Sequence, residues 1–563
     1  MTRLRALVAI AFSTVLAVTL SACAGLPTSG AVNAGDPVLD DDASSEFTLI
    51  PDGPAQDATP QEIVEGFIRA GVGPRDNWAT AQQFLAADVQ DEWNPQAGVT
   101  VYSPGERTLE EVSDGEFVLT VTPLGTVDTT GELVTAVHEG EIPLTFKVAQ
   151  QSDGQWRITQ APDGIVLDST QFATVFGAYS LMYFDPTWTY LVPDVRWFPR
   201  AYAATNIAQA LVDGSPSPWL EGAVTTAFVD DARLAQQAVP TQSNVAEVTL
   251  QDGAAALDQV MLDRMQTQLE ESLATAGIVG VDMLLAGDDQ PLSAQSVAVG
   301  KIAIDARPLV VTGDGFGFVS GDVLETIAGL SDALSGVAAA EIEVGADLTA
   351  AAVRDESGAV VRVSADGTVT SLDARSGLVA PSIDPFGYVW TVPQDDPAAV
   401  VAYDGDGQGV AVADAWPEAV EVIAQRVSRD GTQVAAVVRT GDGYALWVAG
   451  IQRDRDGEPV ALGDRKVLAA LSGTAQELTW LDAATLAVLT TSDEDTFLYT
   501  HEVGAFGASL RAPDGSTTVA GSTLTGGVRL LDGSGELYTQ RGANWQHLAS
   551  DVQVLAIQQG SPR

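Results

Sequence analysis

Residues 428–438, SRDGTQVAAVV, run from a polar turn carrying an aspartate directly into an apolar strand. The same design recurs on either side. Residues 383–392 are IDPFGYVWTV and residues 481–490 are LDAATLAVLT. The aspartates, Asp384, Asp430 and Asp482, stand tens of residues apart, the period of a four-stranded propeller blade. Further turn signals at Asp366-Gly367, Asp442-Gly443 and Asp532-Gly533 suit hairpins inside such blades. Short strands separated by Gly/Asp turns continue from about Val297 to Ile557, so residues 297–563 are expected to form an all-β propeller of five or six blades.

Upstream of Val297 the periodicity changes. Residues 200–296 contain a helix marked by Ile207, Ala210 and Leu211, ending near Gly214. The stretch VAEVTLQDGAAALDQ (245–259) is expected to be two strands about the turn Gln251-Asp252-Gly253. A long amphipathic helix follows, with Met261, Met265, Leu269 and Leu273 on one stripe, ending at Gly277. The strand Val281–Leu285 completes a second α+β unit. Met at helical spacing marks a core face here and not a cofactor face.

Residues 172–199 are rich in aromatics, including Phe172, Phe176, Tyr183, Trp188 and Trp197. They admit two readings: a core strand pair joining two domains, or a stacking platform for sugars. Residues 58–199 open with a capping box, Thr59-Pro60-Gln61-Glu62, ahead of a helix presenting Ile63, Val64, Phe67 and Ile68. A second helix is expected after Asn77, carrying Trp78, Phe84 and Leu85. Strand-like runs follow at 99–102, 117–121, 133–137, 144–148 and 156–159. Helices first and an antiparallel sheet after them predict an α+β domain, similar to small cone-shaped domains that often enclose a ligand pocket. The expected fold is therefore multidomain, two α+β units followed by an all-β propeller.

The N-terminus carries a different message. Arg3 and Arg5 precede an apolar run from Ala6 to Leu20, then Ser21 and Ala22, then Cys23, the only cysteine in the chain. A basic start, an apolar stretch and small residues are the layout of a secretory signal over residues 1–22. The run is about fifteen residues, short of the roughly twenty that span a bilayer. A lone thiol forms no internal disulfide and no thiolate metal cage. Leu20-Ser21-Ala22-Cys23 resembles a bacterial lipobox, which implies cleavage between Ala22 and Cys23 and lipid attachment, diacylglyceryl with palmitate, at Cys23. Two acyl chains make a stable anchor. Residues 23–57, with Asp40-Asp41-Asp42 and scattered Gly, Pro and Ser, are expected to be a flexible tether.

Composition narrows the partners. The formal charge is −49 and there are three lysines, Lys147, Lys301 and Lys466. Such a body is repelled by nucleic acid and by anionic headgroups, so membrane attachment falls to the lipid and no nucleic-acid partner is expected. Of the three histidines, His138, His501 and His547, no two are close in sequence, and each is expected to be structural or on the surface. There is no G-x-S-x-G elbow, Ser-x-x-Lys or H-E-x-x-H. Asp404–Gly409 begins like a calcium loop, but Gln408 and Ala415 occupy ligand positions, so a hairpin turn is expected. No catalytic residues, metal site or cofactor are expected.

Three stretches together resemble the LpqB lipoproteins of actinobacteria: CAGLPTSG (23–30), LMYFDPTWTYLVPDVRWFP (181–199) and ALVDGSPSPWLEGAVTTAF (210–228). Pro216-Ser217-Pro218-Trp219-Leu220 is the most specific element. The resemblance implies a GerMN domain at 200–296 and a non-enzymatic accessory role to the MtrAB two-component system. It implies contact with the extracellular part of the MtrB sensor kinase, from the outer face of the cytoplasmic membrane, in envelope homeostasis and division. An envelope protein that binds or processes cell-wall glycan, with Trp188 and Trp197 stacking the sugar, is the alternative.

Overall fold

The computed structural model describes residues 50–562, apart from 137–139, 230–231, 289, 322, 494 and 522–526. The recurrent aspartates explain how its C-terminal half folds. Asp355, Asp384, Asp404, Asp454 and Asp532 each accept, through Oδ1, the backbone N–H groups two and four residues on, at 2.8–3.1 Å. The residue three positions on is always glycine with φ between 82° and 89°. A side chain there would be strained, so an Asp-x-x-Gly signature sets the hairpin. The stretch from Asp404 is such a turn, as expected.

These turns join strands in the second, third, fourth and sixth of six blades, and the first two blades share one continuous sheet. The second blade is Ala339–Val344, Ala350–Asp355, Val360–Ser364 and Val369–Asp373. The third is Ser382–Ile383, Val389–Thr391, Val401–Tyr403 and Gly409–Ala411. The fourth is Glu421–Val427, Gln433–Thr440, Gly443–Arg453 and Lys466–Leu471, with Pro459–Leu462 on the far end of its third strand. The fifth is Thr474–Trp480, Thr485–Ser492, Asp495–Glu502 and Ala508–Arg511. The sixth is Ser516–Ala520, Arg529–Asp532, Leu537–Arg541 and Asn544–Ala549. Asp384, Asp430 and Asp482 all lie between the first and second strands of their blades.

The first blade closes the ring. Its strands Leu309–Thr312, Gly315–Ser320 and Val323–Glu325 are joined by Val554–Gln558 from the end of the chain, antiparallel to Leu309–Val311. The same terminal strand runs parallel to the second blade at Glu343↔Ile557 and Val344↔Gln558. Ile302–Ala303 pairs with Ser561–Pro562 beside it. A ring closed by one strand from the opposite end of its sequence leaves no open edge between first and last blades.

The N-terminal unit follows its capping box. Thr59 Oγ1 accepts from Glu62 N at 3.3 Å and Glu62 Oε2 from Thr59 N at 2.8 Å, starting α1 (Pro60–Ala70). The second helix, α2 (Arg75–Gln82), begins earlier than expected and is irregular, with φ of 50°, 54° and 56° at Asp76, Asn77 and Trp78. The Trp78 indole at this irregular turn is buried and donates to Gly71 O at 2.8 Å. Six strands follow, β1 (Val99–Ser113), β2 (Glu116–Val127), β3 (Leu133–Thr135), β4 (Ile142–Gln150), β5 (Trp156–Gln160) and β6 (Ile165–Asp168). Their order is β5-β4-β2-β1-β6, with β3 on β2. The sheet is not wholly antiparallel, because β6 runs parallel to β1. Residues 50–57 lie against this unit, where Asp57 and Gln155 exchange hydrogen bonds of 2.9 and 3.0 Å.

After α3 (Ser169–Val175) the aromatic stretch forms an antiparallel ribbon, β7 (Phe176–Phe184) and β8 (Leu191–Pro199). Phe176 belongs to the N-terminal core, Leu181 and Tyr183 to the core of the middle unit, and Val192 to a cluster within the propeller. The expectation of a strand pair joining domains therefore holds.

The middle unit departs from expectation. α4 (Ala203–Val212) is followed by β9 (Thr241–Gln242), β10 (Val245–Leu250), α5 (Gln259–Ala274) and β11 (Gly280–Leu285). The expected second strand after Asp252-Gly253 is a 3₁₀ turn over Asp252–Ala256. Asp258 then caps α5, accepting from Met261 N at 2.8 Å. β10 pairs instead with β11, in parallel, from Val245↔Gly280 to Leu250↔Leu285. A parallel partner needs a crossover, and α5 is that crossover. Its face of Met265, Leu269 and Leu273 is fully buried.

Candidate functional site

Around the propeller axis the first strands of the blades carry charge where apolar residues would be expected. Glu341 and Glu343 belong to the second blade, Arg426 to the fourth and Glu477 to the fifth. Glu343 Oε1 accepts from Ser382 Oγ at 2.8 Å, Ile383 N at 3.1 Å and Gln559 Nε2 at 2.8 Å, tying the second and third blades to the closing segment. Arg426 Nη2 donates to Glu477 Oε1 at 3.0 Å, and its Nε faces Glu343 Oε2 at 3.6 Å. Arg426 Nη1 donates to Ala380 O at 3.0 Å and to Pro381 O at 3.2 Å, and Trp480 Nε1 donates to Arg426 O at 3.0 Å.

Burial raises the pKa of Glu343 and of Glu477, with Arg426 opposing the rise in both. Burial works to lower the pKa of Arg426, but the nearby Glu477, Glu343 and Glu341 outweigh it and the guanidinium is held protonated. Arg429, just past the end of the same strand, donates to the carbonyls of Leu481 and Trp480, at 2.8 and 2.9 Å, and burial lowers its pKa to about 10.

Above this network lies a cavity of about 270 Å³, open to solvent, lined by Glu341, Arg354, Gln394, Gln476 and Glu477 and by apolar Leu378, Val379 and Ile423. Arg354 clasps Glu341 through Nε and Nη2 at 2.6 and 2.8 Å. The cavity thus has a polar rim and an apolar wall, and it opens at the mouth of the propeller axis.

Two other spaces were candidates. The space inside the N-terminal domain, lined by Phe67, Trp93, Phe146 and Ile165, is about 10 Å³, room for a single water. Phe67 fills it, with ring centroids 5.0 Å from Trp93 and 6.0 Å from Phe146. The cone-like pocket suggested by the sequence is closed. A cleft of about 360 Å³ separates the β7–β8 turn, at Pro186 and Thr187, from the propeller at Phe386 and Arg453. Arg453 is fully engaged there, paired with Asp384 at 2.7 Å, bonded to Gly457 O at 3.0 Å and stacked 4.3 Å over Phe386.

The residues singled out from the sequence are dispersed. Ala22, Cys23 and His138 lie outside the described residues. His501 is buried and Nδ1 donates to Glu502 O at 2.9 Å, while His547 is half exposed and pairs with Glu536 at 2.5 Å. Trp188 sits beneath Arg264, 3.9 Å from the ring centroid, and beside Phe184 at 5.0 Å. Trp197 packs on Phe172 at 4.7 Å and donates to Gly504 O at 2.8 Å. Both indoles are occupied by protein. Among the described residues no group of three His, Cys, Asp or Glu side chains is placed to hold a metal ion, and no helix is long and apolar enough to cross a membrane.

Comparison with known proteins is consistent with this architecture. Residues 53–173 match the family described as "Lipoprotein LpqB, N-terminal domain", and residues 314–555 match "Lipoprotein LpqB beta-propeller domain". The chain belongs to the LpqB lipoprotein family. A Lipoprotein LpqB of Bifidobacterium longum is 27% identical over 83% of this chain and 81% of its own. One of Thermobifida fusca is 28% identical over 92% of this chain and 94% of its own. One of Streptomyces avermitilis is 25% identical over 78% of each. Among solved structures, a nidogen/laminin complex shares 12% identity over 44% of this chain and 96% of that chain, at a TM-score of 0.33. Membership of an LpqB family makes the chain a membrane-anchored lipoprotein of the cell envelope.

The charged axis was not singled out from the sequence. The available signal was a charge inside an apolar inner strand, as in AEIEV (340–344), AQRV (424–427) and AQELTW (475–480). Three such interruptions in strands of one sheet rank, at blade spacing, point to a shared axis.

Proposed function

We propose that the chain is anchored through a lipid on Cys23 to the outer face of the cytoplasmic membrane and acts there as a non-enzymatic regulator. Its partner is the extracellular part of a membrane sensor histidine kinase of the MtrB kind, and the outcome is control of envelope homeostasis and division. Family membership and the lipobox support the location. The observation that carries the binding role is the open, charged axial mouth on a propeller whose remaining axis is filled by the Glu343–Arg426–Glu477 network. Confinement to a membrane raises effective concentration, so a small contact of this kind suffices.

A photo-crosslinking amino acid placed at Gln476, on the mouth, and at Val369, on an exposed outer strand, tests the reading in native membranes. The expected result is capture of one sensor kinase from position 476, little from 369, and a lower yield when Cys23→Ser removes the anchor. Capture of cell-wall material alone from either position would replace this reading with the glycan-binding one.

A further inference from the structure

A buried titratable group lies at the joint between the N-terminal unit and the propeller. His501 is on the third strand of the fifth blade, Asp495–Glu502, and is 2% exposed. Its Nδ1 lies 2.9 Å from Glu502 O. A carbonyl only accepts, so Nδ1 carries the proton and Nε2 of the neutral ring is bare. Nε2 is buried and makes no hydrogen bond among the described residues. The loop 503–507 closes over this edge of the ring: a Cβ at Gly507 would lie 2.9 Å from Cδ2, the ring carbon bonded to Nε2. The same loop is held from the N-terminal side. Gly504 O accepts from Trp197 Nε1 at 2.8 Å, and the Phe506 ring lies 6.2 Å from those of Phe172 and Trp197. Lifting this loop uncovers the edge that carries Nε2.

The surroundings oppose a second proton on the ring. Burial is the largest influence on His501 and lowers its pKa. Lys466 of the fourth blade, near the ring, adds to that effect, and the carbonyls of Glu502 and Leu468 only partly offset it. Lys466 itself pairs with Glu132 of the N-terminal unit, both side chains being largely buried. Arg196 adds a positive charge near Glu132. Tyr499, whose ring is 6.1 Å away on the same strand as His501, stays neutral because burial raises its pKa. The Glu502 carboxyl is raised too, by burial first and then by Asp482. An imidazolium here is a buried charge near a like charge, which is costly.

We propose that protonation of His501 opens the contact between the N-terminal unit and the propeller. When water reaches the ring its pKa is the ordinary value of about 6.5, and it is lower when the loop is closed. The open form therefore binds the proton more tightly, and acid shifts the population toward it. The contact is at full strength above about pH 6.5 and weakens as the pH falls below that value, by up to about tenfold in the closed-to-open ratio per pH unit. For an envelope protein the trigger is acidification of its surroundings, and histidine is the side chain suited to sense it.

The test is hydrogen exchange of the full lipidated chain in neutral detergent, at about pH 7 and about pH 5.5, with rates corrected for the intrinsic effect of pH on exchange. Protection in β8 and in the loop 503–507 should fall by at least about threefold and at most about tenfold in acid, while the inner strands at Val344 and Val427 hold theirs. His501→Asn keeps a donor near the position of Nδ1 and removes the titration, so its loss over the same interval should stay under about twofold. That variant retains the carboxyls of Glu132 and Glu502. If it loses protection as the natural chain does, those carboxyls are responsible and the proposal falls. A second measurement leaves His501 in place. Isotope-edited NMR of the three histidine rings follows the His501 titration directly. Trp197→Ala, which loosens the contact, should raise the His501 midpoint toward about 6.5 from its lower position in the natural chain. Equal midpoints in the two chains overturn the proposal, as does exchange in β8 that is indifferent to pH.

Discussion

Arg426 shows how much rests on one side chain. It is 4% exposed, spans two carboxylates and donates to carbonyls of the segment entering the third blade. Its own carbonyl receives the Trp480 indole of the fifth blade. Replacement by methionine keeps most of the volume and strands Glu343 and Glu477 in the interior. Breaking a buried pair in this way costs about 3–5 kcal/mol. Arg426→Met should therefore lower the unfolding midpoint in denaturant, followed by tryptophan fluorescence. Adding Glu343→Gln and Glu477→Gln should restore much of the loss, because the penalty lies in the uncompensated charges. No recovery in the triple variant would show that guanidinium packing, and not charge, holds the axis. None of this was legible residue by residue. Acidic side chains are abundant in a chain of formal charge −49, and their neighbours on the axis come from distant blades. His501 and the indoles of Trp188 and Trp197 stood out in sequence and proved to be packed against protein, while His547 is a half-exposed partner of Glu536.

At the scale of the element, the Asp-x-x-Gly turns were readable because everything they need is within five residues: a carboxylate, two N–H groups and a glycine. What varies is what else each aspartate holds. Among the described residues Asp404 bonds only within its own turn. Asp384 serves its turn and also accepts from the Trp390 indole at 3.0 Å and pairs with Arg453 at 2.7 Å. Asp404→Ala should cost about 1 kcal/mol, the scale of ordinary hydrogen bonds. Asp384→Ala should cost about 3–5 kcal/mol, since it leaves a buried guanidinium unpaired. Comparing the two by thermal unfolding measures the difference directly, and equal losses would reduce Asp384 to a turn residue. The same local logic failed at Gln251-Asp252-Gly253. Those residues suit a hairpin, but β10 finds β11 beyond α5, a parallel pairing set by burial of the Met265–Leu269–Leu273 face. Turn chemistry proposes a partner strand, and tertiary packing decided otherwise.

For the whole molecule the question is what holds the N-terminal and middle units to the propeller. Strand patterning could be followed in sequence as far as Ile557, yet nothing local says that Val554–Gln558 pairs with Leu309–Val311 at the other end of the propeller. The attachment of the N-terminal units is equally non-local. Trp197 of β8 donates to Gly504 O, its ring packs on Phe172 and lies 6.2 Å from Phe506 of the fifth blade, and Glu132 pairs with Lys466 of the fourth. Only glycine suits position 504, because its φ is 87° and a Cβ there would lie 2.9 Å from Val195 O and 3.0 Å from Val195 Cβ. The clasp is thus aromatic packing, one indole hydrogen bond and one sheltered ion pair, added to the ribbon that feeds all three cores. Trp197→Ala combined with Lys466→Met removes the clasp and leaves the axis and the Asp-x-x-Gly turns intact. Hydrogen exchange should then accelerate in β3 and β8 by at least tenfold while the inner strands at Val344 and Val427 keep their protection, since local opening reports local stability. If exchange instead rises uniformly through the propeller, the clasp is part of its folding unit. Selective acceleration would mean that the propeller axis is insulated from openings of the N-terminal unit.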